Sequence, residues 1–228
     1  IIRRAAGLGS APTNKDFNSY EHFYVHVDML IVGGGVAGIT AARAAINSGL
    51  KVLIVEQNDY WGGRASIDNV NIDGELSVNW VEKQIHKLSK DDHFELKLNT
   101  MAAGVYDHGY VLLHENLIDE ANQEALLRQR LWRVRAKQIV TATGAIERPL
   151  SFANNDIPGV MLAASVRDYA VNYGVSCGDK TVLVTNNDDA YRTAITMKNA
   201  GLEVPCIIDA RPNVDGELPN QARQLGIR

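Results

Sequence analysis

The chain has 228 residues, with 23 basic against 27 acidic side chains and a formal net charge of −4, so no global field draws it to nucleic acid or to an anionic membrane surface. Hydrophobic residues make up 46%, enough to build one large domain or a domain and part of a second, yet no apolar run approaches the ~20 residues of a membrane span. Cys177 and Cys206 are its two cysteines and form no C-x-x-C pair, which leaves a disulfide framework, a thiolate metal centre and a dithiol redox centre unsupported and fits a reducing, cytoplasmic setting.

Residues 1–27 mix Gly, Pro, Asn, aromatics and charges without a 2.0 or 3.6 period, and read as an arm or linker laid over the first strand and pinned by Tyr20, Phe23 and Tyr24. His22 and His26 stand four apart, but no further ligand follows and the pair points to ordinary surface or core histidines rather than a metal site. Asp28 to Glu56 then has the order of a dinucleotide-binding βαβ unit: apolar Leu30 to Val32, the turn Gly33-x-Gly35-x-x-Gly38, an alanine-rich helix, and a second apolar strand, Val52 to Val55, closed by Glu56. Gly33 makes the tight turn, Gly35 keeps side chains away from a phosphate, and Gly38 with Ala37, Ala41 and Ala42 brings the helix close to the sheet. The helix N-terminus can receive a pyrophosphate, while Glu56 can accept ribose hydroxyls and would repel a 2′-phosphate. FAD and NAD+ share the ADP half that this unit reads, so the residues leave both open.

A glycine pair, Gly62-Gly63, follows in Tyr60-Trp61-Gly62-Gly63-Arg64, as where a loop crosses near the pyrophosphate of a bound dinucleotide; the alternative is a plain turn. Arg64, Ala65 and Ser66 stand where a disulfide reductase on this plan would carry a redox cysteine, which excludes dithiol chemistry. Glu75 to Lys90 has the apolar spacing of an amphipathic helix, Phe94 to Leu98 alternates as a strand, and Thr100 to Tyr106 and Tyr110 to His114 form a hairpin about Asp107-His108-Gly109. Residues 117–127 read as a loop or short helix and Leu131 to Ala136 as a third strand. Arg128, Arg130, Arg133, Arg135 and Lys137 give that strand a basic face, for which nearby acids are the expected company in preference to nucleic acid.

Gln138 to Thr143 is a short strand that ends in Ala142-Thr143-Gly144-Ala145, which resembles the Ala-Thr-Gly turn that, in two-domain nucleotide oxidoreductases, brings backbone back to the dinucleotide as the chain leaves the first domain. A helix over Val160 to Tyr173, a strand over Thr181 to Thr185, a helix from about Ala190 to Ala200 and a strand over Glu203 to Ile208 begin a second α/β unit. Asn186-Asn187-Asp188-Asp189 replaces its glycine turn: side chains fill the phosphate space and two carboxylates repel an anion while capping the helix. This unit is not expected to hold a second dinucleotide. The chain starts at Ile1 rather than Met and stops at Arg228 within an α/β alternation, so it reads as a piece of a longer polypeptide.

The fold class is therefore α/β: an N-terminal arm over 1–27, an FAD/NAD(P)-binding Rossmann-like domain over 28–159 with a β-meander insertion at about 100–136, and part of a second Rossmann-like domain over 160–228. No nucleophile–base pair or carboxylate dyad stands out, and neither a catalytic residue nor a metal ligand is assigned.

Longer runs add to this reading. Arg4-Ala5-Ala6-Gly7-Leu8-Gly9, Tyr106-Asp107-His108, the stretch Arg128 to Lys137, Ala142-Thr143-Gly144-Ala145-Ile146-Glu147-Arg148-Pro149, Phe152 to Asp156, Pro158 to Met161 and Thr185 to Arg192 resemble the α subunits of heterotetrameric sarcosine oxidases along nearly the whole chain. The resemblance implies a complex that demethylates sarcosine oxidatively to glycine, releases H2O2 and passes the one-carbon unit to tetrahydrofolate. It implies NAD+ in a structural role in this first site, the substrate-oxidising FAD in the β subunit, FMN at the α/β interface, and γ and δ subunits as further partners. Carried over residue by residue, the NAD+ contacts are Gly33, Gly35, Val36, Ala37, Gly38, Glu56, Gln57, Gly63 and Arg64, with Ala102 near the adenine and Thr143 and Gly144 near the pyrophosphate. Met101-Ala102-Ala103 is smaller than the family's usual residues there. An FAD/NAD-dependent oxidoreductase subunit acting on another secondary amine or an opine is the alternative.

Overall fold

The computed structural model describes Gly7 and residues 13–117 and 127–228. The Arg4–Gly9 motif apart from Gly7, and residues 118–126 of the expected loop, lie outside the described residues. The chain divides into two compact units, one of residues 1–61 and 86–142, the other of 62–85 and 143–228.

The first unit is built on one sheet of six strands, β1 (Ser19–Val32), β2 (Val52–Val55), β5 (Phe94–Lys97), β6 (Thr100–Tyr106), β7 (Tyr110–Asn116) and β8 (Leu127–Thr141), in the order β5-β2-β1-β8-β7-β6. β5, β2, β1 and β8 run parallel, and β7 and β6 continue the sheet antiparallel. Helix α1 (Val36–Ala45) joins β1 to β2 as the crossover that a parallel pair needs, burying Gly38, Ile39, Ala42 and Ala45. Because β2 is buried on both faces, all four of its residues are apolar.

Two strands are longer than the sequence reading expects. Residues 19–27, expected within the arm, are the first two-thirds of β1, and the strands expected over 131–136 and 138–143 are one strand, β8, paired with β1 over nearly its whole length. The reason lies in the pleat. Val27 and Leu30 face the same core although they are three apart, as do Ala136 and Ile139 on β8. Each strand therefore carries one extra residue at the same level, Asp28 beside Lys137, whose Nζ lies 2.7 Å from the Asp28 carboxylate. At that point the amides of both Asp28 and Met29 donate to the Lys51 carbonyl. The alternation breaks in the sequence while pairing runs on, which is how a bulge hides a strand from a period-2 reading.

In the second unit, α2 (Ala65–Asp68) and the small hairpin of β3 (Asn71–Ile72) and β4 (Glu75–Leu76) lead to α3 (Ser77–Leu88), whose C-terminal turn belongs to the first unit. The hairpin takes the first turn of the helix expected from Glu75. α4 (Ala163–Tyr173) begins three residues later than expected and closes on Gly174 in the left-handed region. β9 (Leu183–Thr185) and β10 (Ile207–Asp209) form a two-stranded parallel sheet, covered by α5 (Asp189–Asn199) and α6 (Glu217–Gln224). The strand expected over 203–208 is shorter, with Glu203 making only an isolated bridge to Lys180. No helix among the described residues is long and apolar enough to cross a membrane.

Candidate functional site

The glycine turn sits at the C-terminal end of β1, between the strand and α1. Gly33 has φ +108 and its amide donates to the Val55 carbonyl at 2.9 Å, which ties the turn to the neighbouring strand. A Cβ on Gly38 would stand 1.9 Å from the Gly33 carbonyl oxygen, so only glycine lets the helix start this close to the strand. Gly35 is the N-cap in extended conformation, and the first turn of α1 carries no acid, so no carboxylate on the helix opposes an anion at its free amides and positive dipole end.

Glu56, at the end of β2, is 6% exposed. Its Oε2 accepts from the Gly34 amide at 2.8 Å and its Oε1 from the Asn58 amide at 2.9 Å. Each oxygen thus takes one main-chain donor and keeps a lone pair, which leaves room for the two ribose hydroxyls expected there. Gln57 follows it and is exposed, and Val36 and Ala37 open the helix. Ala102 is part-buried on β6 opposite Leu113 and packs on the core shared by β1, β2, β7 and β8. Gly33, Gly35, Val36, Ala37, Gly38 and Glu56 come together. Together they fit the ADP half of a dinucleotide, since the cradle at Gly38 and the aimed carboxylate are both present.

Sequence reasoning missed one member of this turn and the ring that covers it. Gly34, the unassigned residue between the first two glycines, is buried under the Trp61 ring: an added Cβ would meet that ring at 2.4 Å and the Glu56 side chain at 2.9 Å. Trp61 therefore closes over the same peptide whose amide holds Glu56. The signal was the glycine itself, since three consecutive glycines exceed what the fingerprint needs.

Gly63, Arg64, Thr143 and Gly144 belong to the second unit. Gly63 and Gly144 have positive φ, and Thr143 and Gly144 are exposed. Arg64 enters an ion network: its guanidinium lies 2.9 Å from Asp168 and 3.4 Å from Asp68. Burial weakens its charge, but these carboxylates more than offset that and hold it above its ordinary value. Next in the network is Arg167, 0% exposed, at 3.0 Å from both Asp68 and Asp189.

At the end of β10, the place that corresponds to Glu56, stands Asp209. Its carboxylate accepts from the Arg211 amide and Nε, both at 3.0 Å, from Arg211 Nη2 at 2.7 Å and from the Tyr191 hydroxyl at 3.1 Å. Arg211 Nη2 also reaches Asp188 at 2.7 Å. Hydrogen bonding to Arg211 carries the Asp209 carboxyl down to about 2, and the two acids raise the guanidinium in turn. Burial, then the bond to Asp209, raises Tyr191.

Capping of α5 differs from the expectation for Asp188 and Asp189. Asp188, the N-cap residue, makes no side-chain cap, and Asn187 Oδ1 instead accepts the Asp189 amide at 3.0 Å. Both carboxylates are drawn away by arginines, Asp188 by Arg211 and Asp189 by Arg167. A cavity of about 650 Å³ in this unit is lined by Arg148, Phe152, Met161, Cys177, Val184 and Asn187 among others. Its one acid, Glu147, is spent on the Ala164 amide at the start of α4.

The profile of the FAD dependent oxidoreductase family matches residues 28–150, the whole of the glycine turn, Glu56 and the meander. The chain belongs to that family. Within the FAD dependent oxidoreductases it is homologous to sarcosine oxidase subunit alpha. The subunit from Rhizobium meliloti (strain 1021) is 36% identical over 225 residues, 98% of this chain and 23% of that protein. The one from Corynebacterium sp. (strain P-1) is 38% identical over 226 residues, 97% of this chain and 23% of that protein. The chain thus spans less than a quarter of the length of these curated relatives. Among solved structures, L-proline dehydrogenase from P. horikoshii aligns with a TM-score of 0.63 at 28% identity, covering 86% of this chain and 38% of that one. The sequence reading of an α/β, Rossmann-like nucleotide domain in an oxidoreductase is borne out by these matches and by the parallel sheet.

Proposed function

We propose that this chain is the nucleotide-holding part of the α subunit of a sarcosine oxidase-type complex, and that the nucleotide is NAD+ held in a structural role. The observation that carries the holding of a dinucleotide is Glu56, buried and aimed by the Gly34 and Asn58 amides beside a glycine-cradled helix end; the ADP half is common to FAD and NAD+, and the choice of NAD+ rests on the likeness to sarcosine oxidase α subunits. In that reading Gly35, Val36, Ala37 and Gly38 take the pyrophosphate, Glu56 and Gln57 the adenosine ribose, and Ala102 the adenine side. A bound dinucleotide here supplies cohesion to the subunit. The chain's own residues bind and orient it, and none of them moves a proton or an electron pair.

Three features favour holding over turnover. Both cysteines lie in the second unit, outside this turn. In the second unit Arg211 already occupies the acid that would read a second ribose, so a relay from a second pyridine nucleotide has no seat. The homologous subunits belong to a sarcosine oxidase. Sarcosine demethylation to glycine with H2O2, and one-carbon transfer to tetrahydrofolate, would then be reactions of the whole complex, with β, γ and δ partners and their flavins.

The test is to denature the purified chain and identify the released nucleotide by absorbance and mass. NAD+ near one equivalent, absent from the Glu56→Ala variant, is the expected result. Released FAD would overturn the NAD+ assignment and favour a flavin-bearing relative acting on another secondary amine or an opine. No nucleotide from protein purified without dialysis would overturn the holding role altogether.

A further inference from the structure

Beyond the nucleotide sheet proper, β1, β8, β7 and β6 run on as a four-stranded extension, and register fixes what each of its faces carries. One face stacks Phe23, Trp132, Leu113 and Ala102 side by side, continues into Val25, Val134 and Val111, and is the core side. Its acids, Glu21 and Glu115, are bound there by Arg130 at 2.7 Å and by the Trp132 Nε1 at 2.7 Å. The opposite face presents four rows: Tyr20, Gln129 and Asn116; His22, Leu131, His114 and Met101; Tyr24, Arg133, Leu112 and Gly104; His26, Arg135, Tyr110 and Tyr106. None of these residues is an acid.

The basic run of β8 is therefore not one face. Arg130 points one way and Arg133 and Arg135 the other, because odd and even positions of a strand part company, while Arg128 lies at the register shift where the strand begins. Arg130 has the acidic company that the sequence suggests and Lys137 has Asp28, but Arg133 and Arg135 have none among the described residues. Arg133 lies 5.0 Å over the Tyr24 ring and donates to its hydroxyl at 2.6 Å, and Arg135 lies 4.7 Å over Tyr110 and donates to the His108 carbonyl at 3.3 Å. Each guanidinium is anchored on a tyrosine ring and by one hydrogen bond, and has further N–H donors beyond that bond among its five. Tyr106 folds over Gly104, where its ring would stand 2.9 Å from an added Cβ, and stays 55% exposed, while Tyr24 is 71% exposed.

Exposed strands in a lone domain are expected to carry mixed charges and lysines. This face instead has the composition of an interface core: tyrosine, arginine, methionine and histidine, with Lys, Asp and Glu absent from its four rows. Four strands ~4.8 Å apart, with alternate residues ~6.7 Å apart, make it about 15 by 20 Å, or about 300 Å². That is over a third of the ~800 Å² that one partner contributes to a standard interface. We propose that this face docks a partner polypeptide that presents carboxylates to Arg133 and Arg135 and a planar apolar surface to Tyr24, Tyr110 and Tyr106. A polypeptide is favoured over nucleic acid because the whole chain is acidic, with 27 acids against 23 bases. Docking at this face needs no nucleotide in the glycine turn.

The test places the photo-reactive residue p-benzoylphenylalanine at Tyr24 in the full-length protein within its native host, beside the charge-reversing pair Arg133→Glu/Arg135→Glu. The expected result is a cross-link to an Asp- or Glu-bearing segment of a polypeptide that also co-purifies at fixed stoichiometry with the unmodified protein. That co-purification should fall at least tenfold in the charge-reversed pair. Nuclease-sensitive cross-links, cross-links within the chain or to a second copy, no cross-link, or undiminished co-purification would each overturn the proposal. Released nucleotide and thermal midpoint are measured on the same samples; should the reversed pair fail to fold, Arg133→Gln/Arg135→Gln is read by the same criteria. Loss of partner with nucleotide retained speaks to this face alone, and absence of nucleotide from the unmodified protein speaks only to the reading of the glycine turn.

Discussion

At Gly38 the smallest change is the most telling, because an added methyl group would meet a main-chain carbonyl rather than a side chain that can swing away. Gly38→Ala should cost about 1–3 kcal/mol in urea unfolding, as overpacking does, and should empty the nucleotide site. Glu56→Gln tests the neighbouring device. An amide can accept on only one side, so either Gly34 or Asn58 loses its acceptor. The expected loss is about 1–3 kcal/mol of stability together with weaker nucleotide retention, read by urea titration and by mass of the released nucleotide. Of these two residues the sequence announces both, since the fingerprint and the acid have fixed spacing. It does not announce Gly34 under Trp61 or the arginine held by Asp209, because those contacts join residues that no motif links.

Among the elements, α2, α4 and α5 are tied by the charges that meet at Arg167. Arg167→Met should cost about 1–3 kcal/mol, measured by denaturant unfolding, because Asp68 and Asp189 lose a hydrogen-bonded partner but are part-exposed and keep Arg64 and Arg192 nearby. The end of β10 gives a pH test. Asp209 titrates at about 2 in the folded chain against an ordinary 3.8, so the unfolded state binds the proton more readily. Its contribution is complete above about pH 4 and is lost as the pH falls towards about 2; Asp209→Asn should flatten the fall in thermal midpoint across that window. Elements with clear periods, α1, β2 and the β6–β7 hairpin, are legible in the sequence. The N-terminal half of β1 is not, since its outward residues Tyr20, His22, Tyr24 and His26 are aromatic or histidine rather than plainly polar. Neither is α2, a single turn too short to show a helical period, nor α6, whose polar face hides Pro219 and Ala222 as its buried residues.

For the molecule as a whole, a net charge of −4 conceals an uneven distribution: acids are spread over the chain, while one face of the extended sheet has none across four strands. Composition alone reports the sum and loses the pattern, and the pattern appears only once register assigns odd and even residues to their faces. A ligand that binds the folded chain alone raises its stability by about 2.7 kcal/mol at a hundredfold excess over its Kd. Adding NAD+ to nucleotide-free protein should therefore raise the thermal midpoint in a concentration-dependent way. Amide exchange should slow first over Gly33 to Ala45. Equal stabilisation by AMP would mean that only the adenosine half is held.

The paired irregularity at Asp28 and Lys137 sets a rule for insertions and deletions. The offset between β1 and β8 is the same on either side of it, with Val27 opposite Ala136 and Leu30 opposite Ile139. Removing Asp28 alone would slide one half of the strand pair against the other and set either the nucleotide turn or the tyrosine face out of step. Removing Asp28 and Lys137 together would leave both in step. Length changes at this level of the sheet are thus tolerated as matched pairs, one residue in each strand, and refused singly.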